Sequence, residues 1–128
     1  MALQGGRTGR VLPASLAALL LVSGPLAAGH GDEDRRTLRH VVYDLGVTSY
    51  CGLLTPEVEA GYHREIAVLT KRSGLNEADA KALRIAGWVD ADLEWSNRGL
   101  GGFRAWCESD GLAAARHFLA IVRAPAQP

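Results

Sequence analysis

The sequence predicts an all-α domain, a small four- to five-helix bundle closed by one disulfide. Three observations carry this expectation. From about Asp34 onward the apolar residues recur with a period near 3.6, and no segment alternates as a strand would. Alanine, leucine and arginine dominate, and all three favour helix. Only two cysteines occur, Cys51 and Cys107, 56 residues apart. That spacing suits a long bridge and excludes a CxxC redox centre or a c-type haem site.

The bridge requires an oxidising compartment, and the first 28 residues read as the means of reaching one. Met1 to Arg10 carries Arg7 and Arg10 and no acid; Val11 to Ala28 is apolar and small. The uninterrupted apolar centre, Leu16 to Val22, is short, and Pro13, Gly24 and Pro25 flank it. A basic start, a short apolar run and a small-residue exit describe a signal peptide. A permanent anchor would need roughly 20 apolar residues without such breaks. Cleavage is expected after Ala28, or alternatively after Ala27, leaving residues 29–128 as a single helical domain with loose termini. Two of the fourteen basic residues lie in the leader and all fourteen acids follow it, so the exported chain has net charge −2. Nothing in that balance suggests a nucleic-acid partner, and the leader predicts a periplasmic or secreted location without a permanent membrane anchor.

The first helix is expected from about Asp34 to Tyr50, with Leu38, Val41, Val42, Leu45, Thr48 and Ser49 facing inward. Gly46 leaves room for another helix, and Gly52 suits a left-handed cap. Thr55-Pro56-Glu57 opens the second helix: a hydroxyl N-cap, a proline at the first position and acids at the positive dipole end. Val58, Tyr62, Ile66 and Leu69 form its inner stripe, and Gly74 stops it. Asn76 caps the third helix, which should run to about Asn97 before Gly99. Its core face is expected to be Ala82, Ala86, Val89 and Leu93, with Leu83 and Ile85 at the edges. Asp110-Gly111 should then break the last part in two. A short helix would carry Phe103, Trp106 and Cys107, and a longer one Leu112, Ala115, Phe118, Leu119 and Val122.

The segment Trp88 to Cys107 is the most unusual. It holds all three tryptophans, with Asp90, Asp92, Glu94, Arg98, Arg104 and three glycines. Trp88, Trp95, Arg98 and Arg104 form the expected binding surface, because tryptophan and arginine dominate interface hot spots. Trp88 lies beside the expected core face, so Trp95 should be the freer of the two. Alanine at Trp95 or Arg98 should then impair binding and spare folding. The glycines of Arg98-Gly99-Leu100-Gly101-Gly102 follow a helix and lack a P-loop lysine, so they are no nucleotide fingerprint.

Other chemistry is thinner. Asp90 and Glu94 share a helix face and are the acids placed to hold a hard cation with ligands from elsewhere. Paired carboxylates of this kind also serve glycan hydrolysis. If cleavage follows Ala27, Ala28-Gly29-His30 would form a square-planar copper set, which adds His30 to the metal candidates. His40, His63 and His117 are isolated in sequence, and the serines have no nucleophile-elbow context. The sequence therefore implies no cofactor. It fits a non-enzymatic periplasmic or secreted accessory protein that presents a Trp/Arg/acid surface to another protein or a small ligand. The alternatives are a metal-handling protein and a small envelope hydrolase.

Overall fold

The long helix α1 (Leu26–Tyr50) is the axis on which the other helices pack. The computed structural model describes residues 26–125, with side chains from Gly31 onward. The expected signal peptide lies, up to residue 25, outside the described residues. After α1 come α2 (Pro56–Ser73), α3 (Glu77–Asn97) and the single turn α4 (Phe103–Trp106). A π-helical turn, Cys107–Gly111, then leads into α5 (Leu112–Arg123). The described chain is all-helical. No described helix is long and apolar enough to cross a membrane.

α1 starts at Leu26, earlier than the polarity of Gly29–Asp34 suggests. Its early turns are held by side chains the pattern does not weigh. Asp32 pairs with Arg35, the Thr37 hydroxyl donates to the Glu33 carbonyl, and the buried Asp34 carboxylate accepts from Arg72 of α2 at 2.8 Å. Beyond them Leu38, Val41, Val42, Leu45 and Thr48 are buried as expected, whereas Ser49 is exposed and Val47 is buried instead. With Val58, Tyr62 and Leu69 of α2 and Ala115 and Phe118 of α5, the α1 stripe makes the main core.

The α2 boundaries follow the local rules. The Thr55 hydroxyl accepts from the Val58 amide, Pro56 occupies the first turn, and Gly74 closes the helix in the left-handed conformation. Asn76 caps α3 by accepting from the Asp79 amide. α5 lies close on α2 at Gly61, where a Cβ would meet the Phe118 carbonyl oxygen at 2.1 Å.

Two further expectations fail. The chain is not broken at Asp110-Gly111: Gly111 is helical and the π turn joins α4 to α5 without a gap. Gly111 is there for space, since a Cβ would sit 3.0 Å from the Cys51 sulfur.

The second failure is larger. α3 presents Ala80, Gly87 and Ala91 to the interior, and Ala82, Val89 and Leu93 are exposed. The expected and observed faces lie on nearly opposite sides of the helix. The reason is proximity. α3 packs extensively only against α1, and in the same direction, with Gly87 beside Arg39 and Val42, and Ala91 beside Gly46. A Cβ on Gly87 would lie 2.5 Å from the Arg39 carbonyl oxygen, and one on Gly46 2.6 Å from the Ala91 Cβ. Helices this close admit only small residues in their seam, so Ile85, Val89 and Leu93 are turned outward, while Leu83 packs at the edge of the core.

Candidate functional site

The Cys51–Cys107 disulfide ties the end of α1 to the end of α4, with Cα atoms 5.4 Å apart. Around it the chain builds an aromatic corner. Tyr50 of α1 stacks on Trp95 of α3 with ring centres 5.2 Å apart. Trp95 also meets Phe103 at 5.2 Å and Trp106 at 6.3 Å. The Tyr50 hydroxyl donates to Asp92 at 2.6 Å, and this hydrogen bond, chiefly, raises the phenol above its ordinary range. Trp106 is buried beneath; its indole N–H donates to the Tyr43 hydroxyl at 3.3 Å.

Arg98 caps this stack. Its guanidinium lies 5.0 Å over the Trp106 ring and pairs with Glu94 one turn back on α3. The Arg98 Nε is buried and has no hydrogen-bond partner among the described residues. The chain leaves α3 through Gly99 and Gly101, both at positive φ, a region glycine enters at no steric cost. Between them Leu100 is held fully in solvent. Leu100, Phe103 and Trp95 border a hollow of about 490 Å³. On the other side of Phe103, a second hollow of about 290 Å³ runs along the disulfide beneath Arg104 and Glu108.

The four residues expected to form a binding surface therefore separate into two kinds. Trp88 and Arg104 are exposed. Trp95 and Arg98 are half-buried and serve as structure under the corner. Trp95 is thus the more enclosed tryptophan, the reverse of the expectation. Rotation of α3 explains this: it draws Trp95 towards Tyr50 and sets Trp88 beside Gly46 with much of its ring in solvent. Leu100 and Phe103, the most exposed apolar parts of the corner, were missed as site residues. The run of glycines around a lone leucine was the available signal.

The candidate metal residues are engaged elsewhere. Asp90 accepts two hydrogen bonds from Arg39, at 2.6 and 2.7 Å, and these hold its carboxyl below the usual range. A general acid needs the opposite shift, so Asp90 is unsuited to protonate a leaving group. Glu94 holds Arg98. The His30 side chain lies outside the described residues. Among the described residues no group of three His, Cys, Asp or Glu is placed to hold an ion.

A polar trough, also unseen in the sequence, runs beside α1 between α3 and α5. Its two parts, about 650 and 390 Å³, share His40, Tyr43 and Asp110. His40 lies 3.6 Å from Asp44, and His117 contacts Glu65 at 2.7 Å. Burial pushes the Asp44 carboxyl up, against the pull of His40 and His117. Burial likewise raises the Tyr43 phenol. His40 and His117 lie far apart in sequence, so only the fold brings them to one trough.

Comparison with protein-family models, with curated proteins and with solved structures returned no match, so the fold and site define the class: a small disulfide-closed helical bundle with an exposed aromatic corner.

Proposed function

We propose that this chain is an exported, non-enzymatic accessory protein that binds a partner protein through the aromatic corner. The observation that carries the reading is Leu100. A leucine held fully in solvent, between two glycines and beside the exposed Phe103, gives the fold nothing. Large apolar side chains on a rigid support are what a binding hot spot requires. Here the support is the disulfide and the Tyr50–Trp95–Trp106 stack. Arg104 at the edge adds a cation suited to a carboxylate on the partner, and Trp88 extends the apolar area one heptad back along α3.

Export follows from the same reading. The bridge closes a large loop and persists only where thiols are oxidised, which fits a periplasmic or secreted protein released from its leader. N-terminal sequencing should find Gly29, or Ala28, at the start of the exported form; intact Met1 in a membrane fraction would refute it.

Binding is tested by pull-down from an extracytoplasmic extract with the wild-type chain, Leu100→Asp and Phe103→Ser. Both positions are exposed, so the thermal midpoint should stay within a few degrees. A specific partner should be lost with both variants. Retention of every captured protein by both would overturn the reading.

A further inference from the structure

α3 carries a second feature beside the corner, which it meets at Trp88. Its outer side is an apolar row, Ala78, Ala82, Ile85, Val89 and Leu93, spaced by three and four residues over about 22 Å of helix. Ile85, Val89 and Leu93 are 55%, 47% and 54% exposed, and Trp88 at the edge 39%. No charged residue falls within the row; Lys81 and Asp92 flank it on one side and Asp79 on the other. Because α3 packs extensively only on α1, nothing in the described chain covers this side.

We propose that the outer face of α3 is the interface of a homodimer, in which α3 of a second copy packs antiparallel across a two-fold axis that passes between Ile85 and Val89. Two arguments select a second copy. The first is area. The four large side chains expose roughly 400 Å² per copy, the size at which a patch on a monomer is often functional. With the alanines and the polar rim, two copies would bury about 1,200 Å², the lower bound of specific interfaces and the range of a micromolar dimer.

The second is charge. Antiparallel pairing about that axis sets Ile85 against the partner's Val89 and Lys81 beside the partner's Asp92. Asp79 meets the neutral Asn97 of the partner subunit. A parallel two-fold pair would instead bring opposite flanks together, with Lys81 beside the partner's Asp79, and would leave Asp92 with no cation from the partner's flank. Antiparallel pairing is thus the orientation that gives both Lys81 and Asp92 an opposite charge, and the face is complementary to itself, as a two-fold interface requires. Lys81 is the only lysine or arginine flanking the row, and this pairing gives it an acidic partner.

The test uses the purified protein with its disulfide intact: sedimentation equilibrium from about 1 to 300 μM, a range that brackets a micromolar Kd. A reversible monomer–dimer equilibrium is expected. Val89→Glu, which puts a carboxylate into the apolar row at an exposed position, should weaken association at least tenfold with unchanged helical circular dichroism. Lys81→Glu should weaken it several-fold at low salt, and Lys81→Glu with Asp92→Lys should restore it. A monomer throughout that range overturns the proposal. So does a dimer indifferent to Val89→Glu, or a charge-swapped pair no tighter than Lys81→Glu alone.

Discussion

Gly87→Ala tests the orientation of α3 most directly. The added methyl would sit 2.5 Å from the Arg39 carbonyl oxygen, 2.7 Å from the Val42 Cβ and 3.1 Å from the Tyr43 amide nitrogen. None of these is the far end of a flexible side chain, so α3 must move off α1. Such overpacking costs about 1–3 kcal/mol. Against it stands the gain of about 0.5–1 kcal/mol from replacing glycine by alanine inside a helix. The net expectation is a loss of about 1–2 kcal/mol, or about 5–15 °C in thermal midpoint for a domain of this size. Gly31→Ala is the control: it is also helical and has nothing within 4 Å of its Cβ position, so it should not lower the midpoint. Leu93→Ala, on the exposed side, should change the stability of the dilute chain by no more than about 0.5 kcal/mol. Thermal melts by circular dichroism at low micromolar concentration read all three. If Gly87→Ala is neutral or stabilising while Leu93→Ala loses 2 kcal/mol or more, α3 faces α1 with its large residues, and the close seam described here is wrong.

Three other outcomes follow from the same contacts. Replacing both Cys51 and Cys107 with serine should cost roughly 2–5 kcal/mol because the bridge closes a 56-residue separation; denaturant melts of oxidised wild type and the double variant measure it, and an unchanged midpoint would make the bridge dispensable. Trp95→Ala should destabilise by about 2–3 kcal/mol, since the ring stacks on Tyr50, Phe103 and Trp106; a midpoint within 2 °C of wild type would show that the stack is not cohesive. Burial raises the Asp44 carboxyl in the folded chain, so the folded state holds its proton at pH values where the unfolded chain has lost it, and Asp44 contributes a destabilisation that grows as pH rises through that window. Asp44→Asn should therefore be more stable than wild type at pH 7 and lose that advantage below about pH 4, where both states are protonated; equal stability at both pH values would refute the shift.

The legible parts of the fold are those set by local chemistry or by a single dominant face. Thr55-Pro56 and Asn76 cap their helices as their side chains dictate, and Gly74 stops α2. The α1 stripe was readable because α1 touches three helices and its largest apolar residues all go inward. The cysteine pairing needed only their number. α3 was misread because hydrophobic periodicity weighs side chains by size. That weighting holds where a helix is surrounded. At the edge of a bundle, against one neighbour, backbone approach decides, and Gly46, Gly87 and Ala91 set the seam. A pair of glycines on two helices was visible in the sequence; that they face each other was not, because it depends on the register between α1 and α3.

The same inversion accounts for where recognition is proposed to lie. A helix that docks through small residues stabilises the fold by close contact and leaves its large side chains unused. Ile85, Val89 and Leu93 on α3, and Leu100 just beyond it, are therefore surplus to the core. Exposing them costs solubility, and at Leu100 the chain goes further by framing the side chain with two positive-φ glycines. Trp95 and Arg98, two of the four residues expected to form a binding surface, are engaged by Tyr50, Glu94 and Trp106. On the proposed reading the ordinary aliphatics, not the scarce types, carry binding. A tryptophan has enough area to be needed inside, whereas a leucine held clear of every neighbour has no structural work left to perform.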